Sequence, residues 1–188
     1  MANKDAAFGL RPIGKVGQNR DAQGLSEYSI AASTAVIYNS DPVAIDSNGE
    51  LVQGTAGAGN DLLGSLNGVF YTDASTSKPT WANHLAASNT ATDIVGFVSD
   101  DPYERFEIQS AGTVAQTNIG NTAAVVLGAG AAPNYISKAE ISGTMATTAN
   151  QLKIIGVSKD PENNELGAAN ANVVVIISEH QLKENTGY

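Results

Sequence analysis

Cysteine is absent from the 188 residues. That removes disulfides, thiolate nucleophiles and cysteine-ligated zinc, and it leaves the redox compartment open, since nothing here needs oxidising conditions. Basic side chains are scarce too: 10 Lys and Arg stand against 19 Asp and Glu, a net charge of −9, and no run concentrates them. Binding to a phosphate backbone depends on such a cluster, so no nucleic-acid partner is expected. No apolar stretch reaches the length of a membrane span, and the opening MANKDAAFGLRPIGK has no apolar core of signal-peptide length. A chain without a membrane contact, made without a secretion signal, is the expectation. Only 15% of the side chains are charged, too few for long solvated helices.

What is there is 42% hydrophobic residues, 19 glycines and many Ala, Ser, Thr and Asn. Short apolar runs bounded by Asp-Pro, Asn-Gly and glycine turns predict a mainly β protein, a compact antiparallel β-barrel or β-sandwich with an extended N-terminal arm. The length suits one domain, in which about 70% of the unfolded surface can be buried. The expected division is an arm over residues 1–24, a single β domain over 25–180 and a polar tail over 181–188. The arm carries Gly9, Gly14, Gly17 and Gly24 among polar residues, with Phe8, Leu10 and Ile13 as its apolar anchors. On sequence grounds it should be mobile in the free protein and ordered only against another surface.

The middle of the chain, Asp93 to Gln109, reads as two strands around the turn Asp100-Asp101-Pro102, a hairpin candidate. A related phrase returns at Ile154 to Glu162, followed by Val173-Val174-Val175-Ile176-Ile177, the most strand-like run in the protein. The dipeptide Asn48-Gly49 predicts a type I′ hairpin joining Val43–Asp46 to Glu50–Gln53. Further strands are expected at Tyr28 to Ile30, Ala35 to Tyr38, Gly68 to Thr72, Ile136 to Ile141, Gln151 to Val157 and Asn172 to Ser178. Asp73 to Thr80 reads as a loop.

Candidate chemistry is thin. Asp46 to Glu50 lacks the spaced carboxylates of a calcium loop. Val125 to Ala132 runs into G-x-G-x-A, but Pro133 interrupts the helix that a dinucleotide site requires. His84 and His180 each lack a partner at catalytic or ligating spacing, and Asp100 with Asp101 reads as a pair of turn residues. G-x-S-x-G, H-E-x-x-H and P-loop motifs are all missing. The expectation is no enzyme and no cofactor. Trp81 has two readings, a plug on the edge of a β core or a platform for a sugar.

The order of several phrases resembles the capsid decoration, or cement, proteins of tailed bacteriophages, especially a group found in marine phages. They are Met1 to Pro12, Glu27 to Ala31, Asp41-Pro42-Val43, Gly68 to Thr72, Asp100-Asp101-Pro102 with Phe106 to Gln109, and Ile177 to Gln181. The resemblance departs after the Thr/Lys/Pro loop, where an aromatic-rich stretch is expected and only Trp81 stands.

The resemblance implies a β-rich protein assembled in the host cytoplasm onto the outside of an icosahedral shell. There it bridges major capsid protein subunits, as a homo-oligomer that is a trimer in preference to a dimer. The arm residues Phe8, Leu10, Arg11, Pro12 and Ile13 are then the expected capsid contacts. A competing function is a carbohydrate-binding or host-attachment module on the virion surface, suggested by Trp81, the six tyrosines and the β reading.

Overall fold

The computed structural model describes residues 2–16, 24–32 and 35–183. The protein is mainly β, with two antiparallel sheets packed together in an arrangement consistent with a β-sandwich. Among the described residues the one helical element is a single 3-10 turn at Gln116–Asn118.

The six-stranded sheet is built from one continuous stretch of chain: β2 (Ser26–Ser29), β3 (Pro42–Ile45), β4 (Leu51–Gln53), β5 (Gly64–Asp73), β6 (Lys78–Ala82) and β7 (Val95–Ser99). Its strand order is β2-β7-β5-β3-β4, with β6 on the outer half of the long β5. The five-stranded sheet takes β1 (Arg11–Lys15) from before that stretch and β8 (Glu104–Gln109), β9 (Thr122–Ala123), β12 (Leu152–Val157) and β13 (Asn172–Ile177) from after it, in the order β1-β8-β13-β12-β9. A short pair, β10 (Val125–Val126) with β11 (Glu140–Ile141), lies alongside.

Each sheet has its own apolar cluster, because the period-two alternation of each strand sends one set of side chains inward. Leu10, Phe106, Ile108, Leu152, Ile154, Val173, Val175 and Ile177 belong to the five-stranded side. Val43, Leu51, Leu63, Leu66, Val69, Ile94 and Val98 belong to the other. Leu62 and Leu63, adjacent in sequence, go to opposite clusters.

The joint between the clusters is polar and hydrogen-bonded. Leu10 N–H donates to the Ser40 carbonyl at 2.8 Å, Ser65 Oγ donates to the Leu10 carbonyl at 2.6 Å, and Leu62 forms a parallel bridge with His180. Gly9 adopts φ +79°, and a Cβ there would overlap the Ser40 carbonyl, so the backbones meet closely only because the side chain is missing.

Three expectations are corrected by this architecture. Asp100-Asp101-Pro102 does not close a hairpin: β7 pairs with β2 and β5, β8 pairs with β1 and β13, and the turn carries the chain from one sheet to the other. The proline stops the strand as expected, but longer-range partners decide where the next strand goes.

The Asn48-Gly49 hairpin forms, with Val43 opposite Gln53, but only Gly49 has positive φ, +79°. Asp46 caps a three-residue loop by accepting from Asn48 N–H at 2.9 Å and Glu50 N–H at 3.0 Å, a tighter use of the aspartate than the type I′ turn allows.

The third correction is to the arm. Residues 11–15 are an edge strand of the five-stranded sheet and Leu10 lies in its core, fully buried. Asn3 and Lys4 are tied by side-chain and main-chain bonds to Asn163, Glu165 and Ala169. The glycines that suggested mobility serve the joint at Gly9 and a bulge at Gly14. Residues 17–23 of the expected arm and 184–188 of the expected tail lie outside the described residues. Gln181, at the start of that tail, is bonded to Ile45 through both ends of its amide.

Candidate functional site

The five residues expected to contact a capsid have different surroundings. Leu10 is unavailable, since it is core. Phe8 is half-buried beneath the Arg11 guanidinium, which stands 4.5 Å from its ring centre. Arg11 faces Glu107 across the β1–β8 pair and donates to its carboxylate, while Ser158 Oγ donates to the other oxygen of the same group. The charge on Glu107 is therefore held by two donors in a place where water reaches little of it.

Pro12 sits opposite Phe106 on the strand. Ile13 alone points a large apolar side chain outward, 44% exposed, and it lines a groove of about 400 Å³ with Ile155, Val174, Arg105 and Lys159. Ile155 is also exposed, at 38%. Ile155 and Val174 were invisible as site residues in the sequence because they belong to apolar runs that read as core. The signal that could have found them is the alternation within β12, where Leu152 and Ile154 point inward and Lys153 and Ile155 therefore point out.

At the end of β1 the groups are ionic. Lys15 Nζ lies 2.6 Å from Asp101, which also accepts from Tyr103 N–H at 2.7 Å. The Lys15 hydrogen bond holds the Asp101 carboxyl below its usual range. Asp100 accepts from Ser26 Oγ at 2.9 Å and from Tyr28 OH at 2.5 Å. Both aspartates thus brace the crossover between the sheets. Glu104, buried against the same edge, accepts from Gly14 N–H at 3.0 Å, and burial pushes its carboxyl up.

His180 is buried where the chain leaves β13, its Nδ1 accepting from Leu182 N–H at 3.1 Å. Desolvation, with Lys183 adding to it, pushes the imidazole down to about 4, so it is neutral at ordinary pH. His84 instead stacks on Tyr135, with ring centres 3.9 Å apart and planes 8° from parallel. Gly128 and Gly130, the glycines of the G-x-G-x-A phrase, lie against the backbone of Lys138 and Ile136, where a Cβ would overlap the carbonyl oxygens. Close strand approach accounts for them. Asp46 is occupied by its own turn, and among the described residues no group of three His, Cys, Asp or Glu could hold a metal ion.

Trp81 does not plug a β core. Lys78 to Thr80, read as the end of the Asp73 to Thr80 loop, belong with Trp81 and Ala82 to strand β6, and Phe70 is the register partner of Trp81. The indole is 55% exposed, lies over Gly68 and touches Phe97 at 5.3 Å between ring centres. Phe70, 41% exposed, completes an aromatic face on the solvent side of the six-stranded sheet. No protein-family model, no curated protein and no solved structure matches this chain.

Proposed function

We propose that this chain is a virion structural protein, a decoration or cement protein that binds the outside of an icosahedral phage shell and ties neighbouring major capsid subunits together. The observation that supports this reading most is where the resembling phrases fall. Three of them, Met1 to Pro12, Asp100-Asp101-Pro102 and Ile177 to Gln181, meet at the joint between the sheets, while Glu27 to Ala31 and Gly68 to Thr72 pair within the six-stranded sheet. Leu10 bonds to Ser40 and Ser65, the Asp41 carbonyl accepts from Leu66 N–H at 3.0 Å, and His180 and Gln181 engage Leu62 and Ile45. The resemblance therefore includes residues that set how the two sheets meet, which a shared architecture would require.

On this reading the capsid contact moves from Leu10 and Phe8 to the groove of Ile13, Ile155 and Val174, which Arg105 and Lys159 also line. Burying what remains exposed of these two isoleucines would contribute about 0.6–1.3 kcal/mol each before the entropy of association. A symmetric oligomer, a trimer in preference to a dimer, lets a small domain cover a symmetric lattice point. No catalytic step and no cofactor belong to this role.

The test is co-sedimentation of the purified protein with undecorated shells of the phage that encodes it, followed by cryo-electron microscopy. The expected result is added density on the outer surface, with occupancy reduced for Ile13→Asp and Ile155→Asp. A protein that stays in the supernatant at micromolar concentration overturns the reading.

A further inference from the structure

We infer that the aromatic face formed by Trp81, Phe70 and Phe97 is a binding platform for a neutral pyranose sugar. Three features of the face lead there. The first is the pose of the indole. A Cβ at residue 68 would come within 2.4 Å of Cη2 and Cζ2 of the Trp81 six-membered ring, so the bulged Gly68 at φ +140° makes the room the ring takes up on the sheet. A ring used as a core plug turns its faces to other side chains; this one is more than half exposed and braced from beneath and from the side by Phe97. A flat aromatic surface of that kind takes the C–H face of a sugar ring, which is apolar, while the hydroxyls project sideways.

The second feature is charge. Residues directly opposite in an antiparallel pair share a face. The outward positions of β2, β7, β5 and β6 thus follow from their register with Phe70, Trp81 and Phe97. Glu27, opposite Phe97, is the one ionisable side chain at these positions within the strands, and the Asp93 carboxylate just before β7 joins it at this face, accepting from Thr72 N–H at 3.0 Å and from the Thr72 hydroxyl. Carboxylates beside an aromatic ring accept from sugar hydroxyls. The absence of a cation at these positions disfavours an anionic sugar.

The third is size. A fully covered aromatic side chain buries about 150–250 Å². At the exposures of Phe70 and Trp81 the rings leave roughly 200 Å² open. A stable protein interface needs about 800 Å² per partner. The platform is thus too small for a second copy of the chain or a capsid subunit, and it matches one or two sugar rings.

Trp81 is the single tryptophan of the chain, so its fluorescence reports on this face alone. The experiment titrates the full-length protein with maltotriose, cellotriose and a galacto-oligosaccharide, with sialyllactose as the acidic comparison. A screen on an array of bacterial surface polysaccharides runs alongside. The expected result is a saturable emission shift with a neutral saccharide and none with sialyllactose. Trp81→Ala, scored on the array, should lose about tenfold or more in affinity. Gly68→Ala should weaken binding by displacing the ring, and Ile155→Asp should leave it unchanged.

The inference is overturned if no neutral saccharide moves the emission and the array captures nothing, or if Trp81→Ala binds as well as the parent. It is also overturned if the parent self-associates in sedimentation and Trp81→Ala releases the monomer, which would give the face to a second copy. The site does not rest on the capsid reading: shell binding retained in Trp81→Ala, with saccharide binding lost, separates the two.

Discussion

Ser65 donates its hydroxyl to the Leu10 carbonyl at 2.6 Å, a bond in which neither group meets solvent. It fastens the segment before β1, in the five-stranded sheet, to β5 in the other. Ser65→Ala leaves a buried carbonyl with one partner fewer and should cost about 1–3 kcal/mol. Leu10→Ala removes a core side chain and should cost about 2–5 kcal/mol. Urea denaturation of the two variants checks both values. Deleting residues 2–15 should destabilise the domain far more than either, since it strips an edge strand from β8 and uncovers Phe106. An unchanged melting temperature after that deletion would show that β1 adds nothing to the fold.

Gln151, just before β12, makes four hydrogen bonds through the two ends of its amide. Its Nε2 donates to the carbonyls of Thr55 at 2.6 Å and Asn60 at 2.7 Å, and its Oε1 accepts from Gly57 N–H at 3.0 Å and Val125 N–H at 3.1 Å. One amide thus saturates four backbone groups, three in the loop between β4 and β5 and one in β10. Gln151→Leu keeps the volume and abandons all four, so a loss of about 3 kcal/mol or more is expected in chemical denaturation. Faster amide exchange at Gly57 and Val125 should accompany it.

How much of this was readable beforehand depended on whether a feature is local. The runs of β5, β12 and β13 and the Asn48-Gly49 turn were legible because alternation and turn chemistry lie within a few residues. Strand β6 was not, since KPTWA is mostly solvent-facing and its strand character comes from pairing with β5. Nor was the crossover after β7: an Asp-Pro turn looks the same whether the next strand folds back or leaves, and the choice is made by β1 and β13, far away in sequence. The outward pair Ile13 and Ile155 and the aromatic face were hidden for a related reason, because which side of a strand is wet depends on what covers the other side.

His180 gives a pH dependence of definite sign. Its imidazole is lowered from an ordinary 6.5 to about 4 by burial first and Lys183 second, against Asp100 and Asp101, which act to raise it. Between those values the unfolded chain binds a proton that the folded chain refuses, so this group's contribution falls as pH drops from 6.5 toward 4. The full loss is about 3 kcal/mol. Denaturation midpoints measured across this window should fall less steeply for His180→Gln than for the parent. Equal slopes would mean that the buried ring is not what titrates.

Asp41 acts with the opposite sign. Its Oδ2 accepts from Tyr38 N–H at 2.8 Å and Gln53 Nε2 at 2.9 Å, while Oδ1 is buried with no hydrogen-bond partner, and burial pushes its carboxyl up. A group whose folded value is raised gains stability as pH falls, because the folded chain takes the proton first. Asp41→Asn removes the buried charge and should stabilise the domain at pH 7 by about 0.5–2 kcal/mol. The gain should shrink in acid, which a melting series from pH 7 to pH 4 reads directly.

The placement of the six-stranded sheet in one continuous stretch, between β1 and β8, sets an order of events during synthesis. Residues 26–99 contain all its strands, so it can close as soon as they leave the ribosome. Strand β1, made first, has to wait for β8, about ninety residues later, and β8 in turn lies against β13 near the end of the chain. Loop closure of that length is slow and leaves the edge of β1 open to other nascent chains meanwhile. In pulsed hydrogen exchange during refolding, amides of β3, β5 and β7 should be protected before those of β1, so a strand translated ahead of that sheet is locked in place after it.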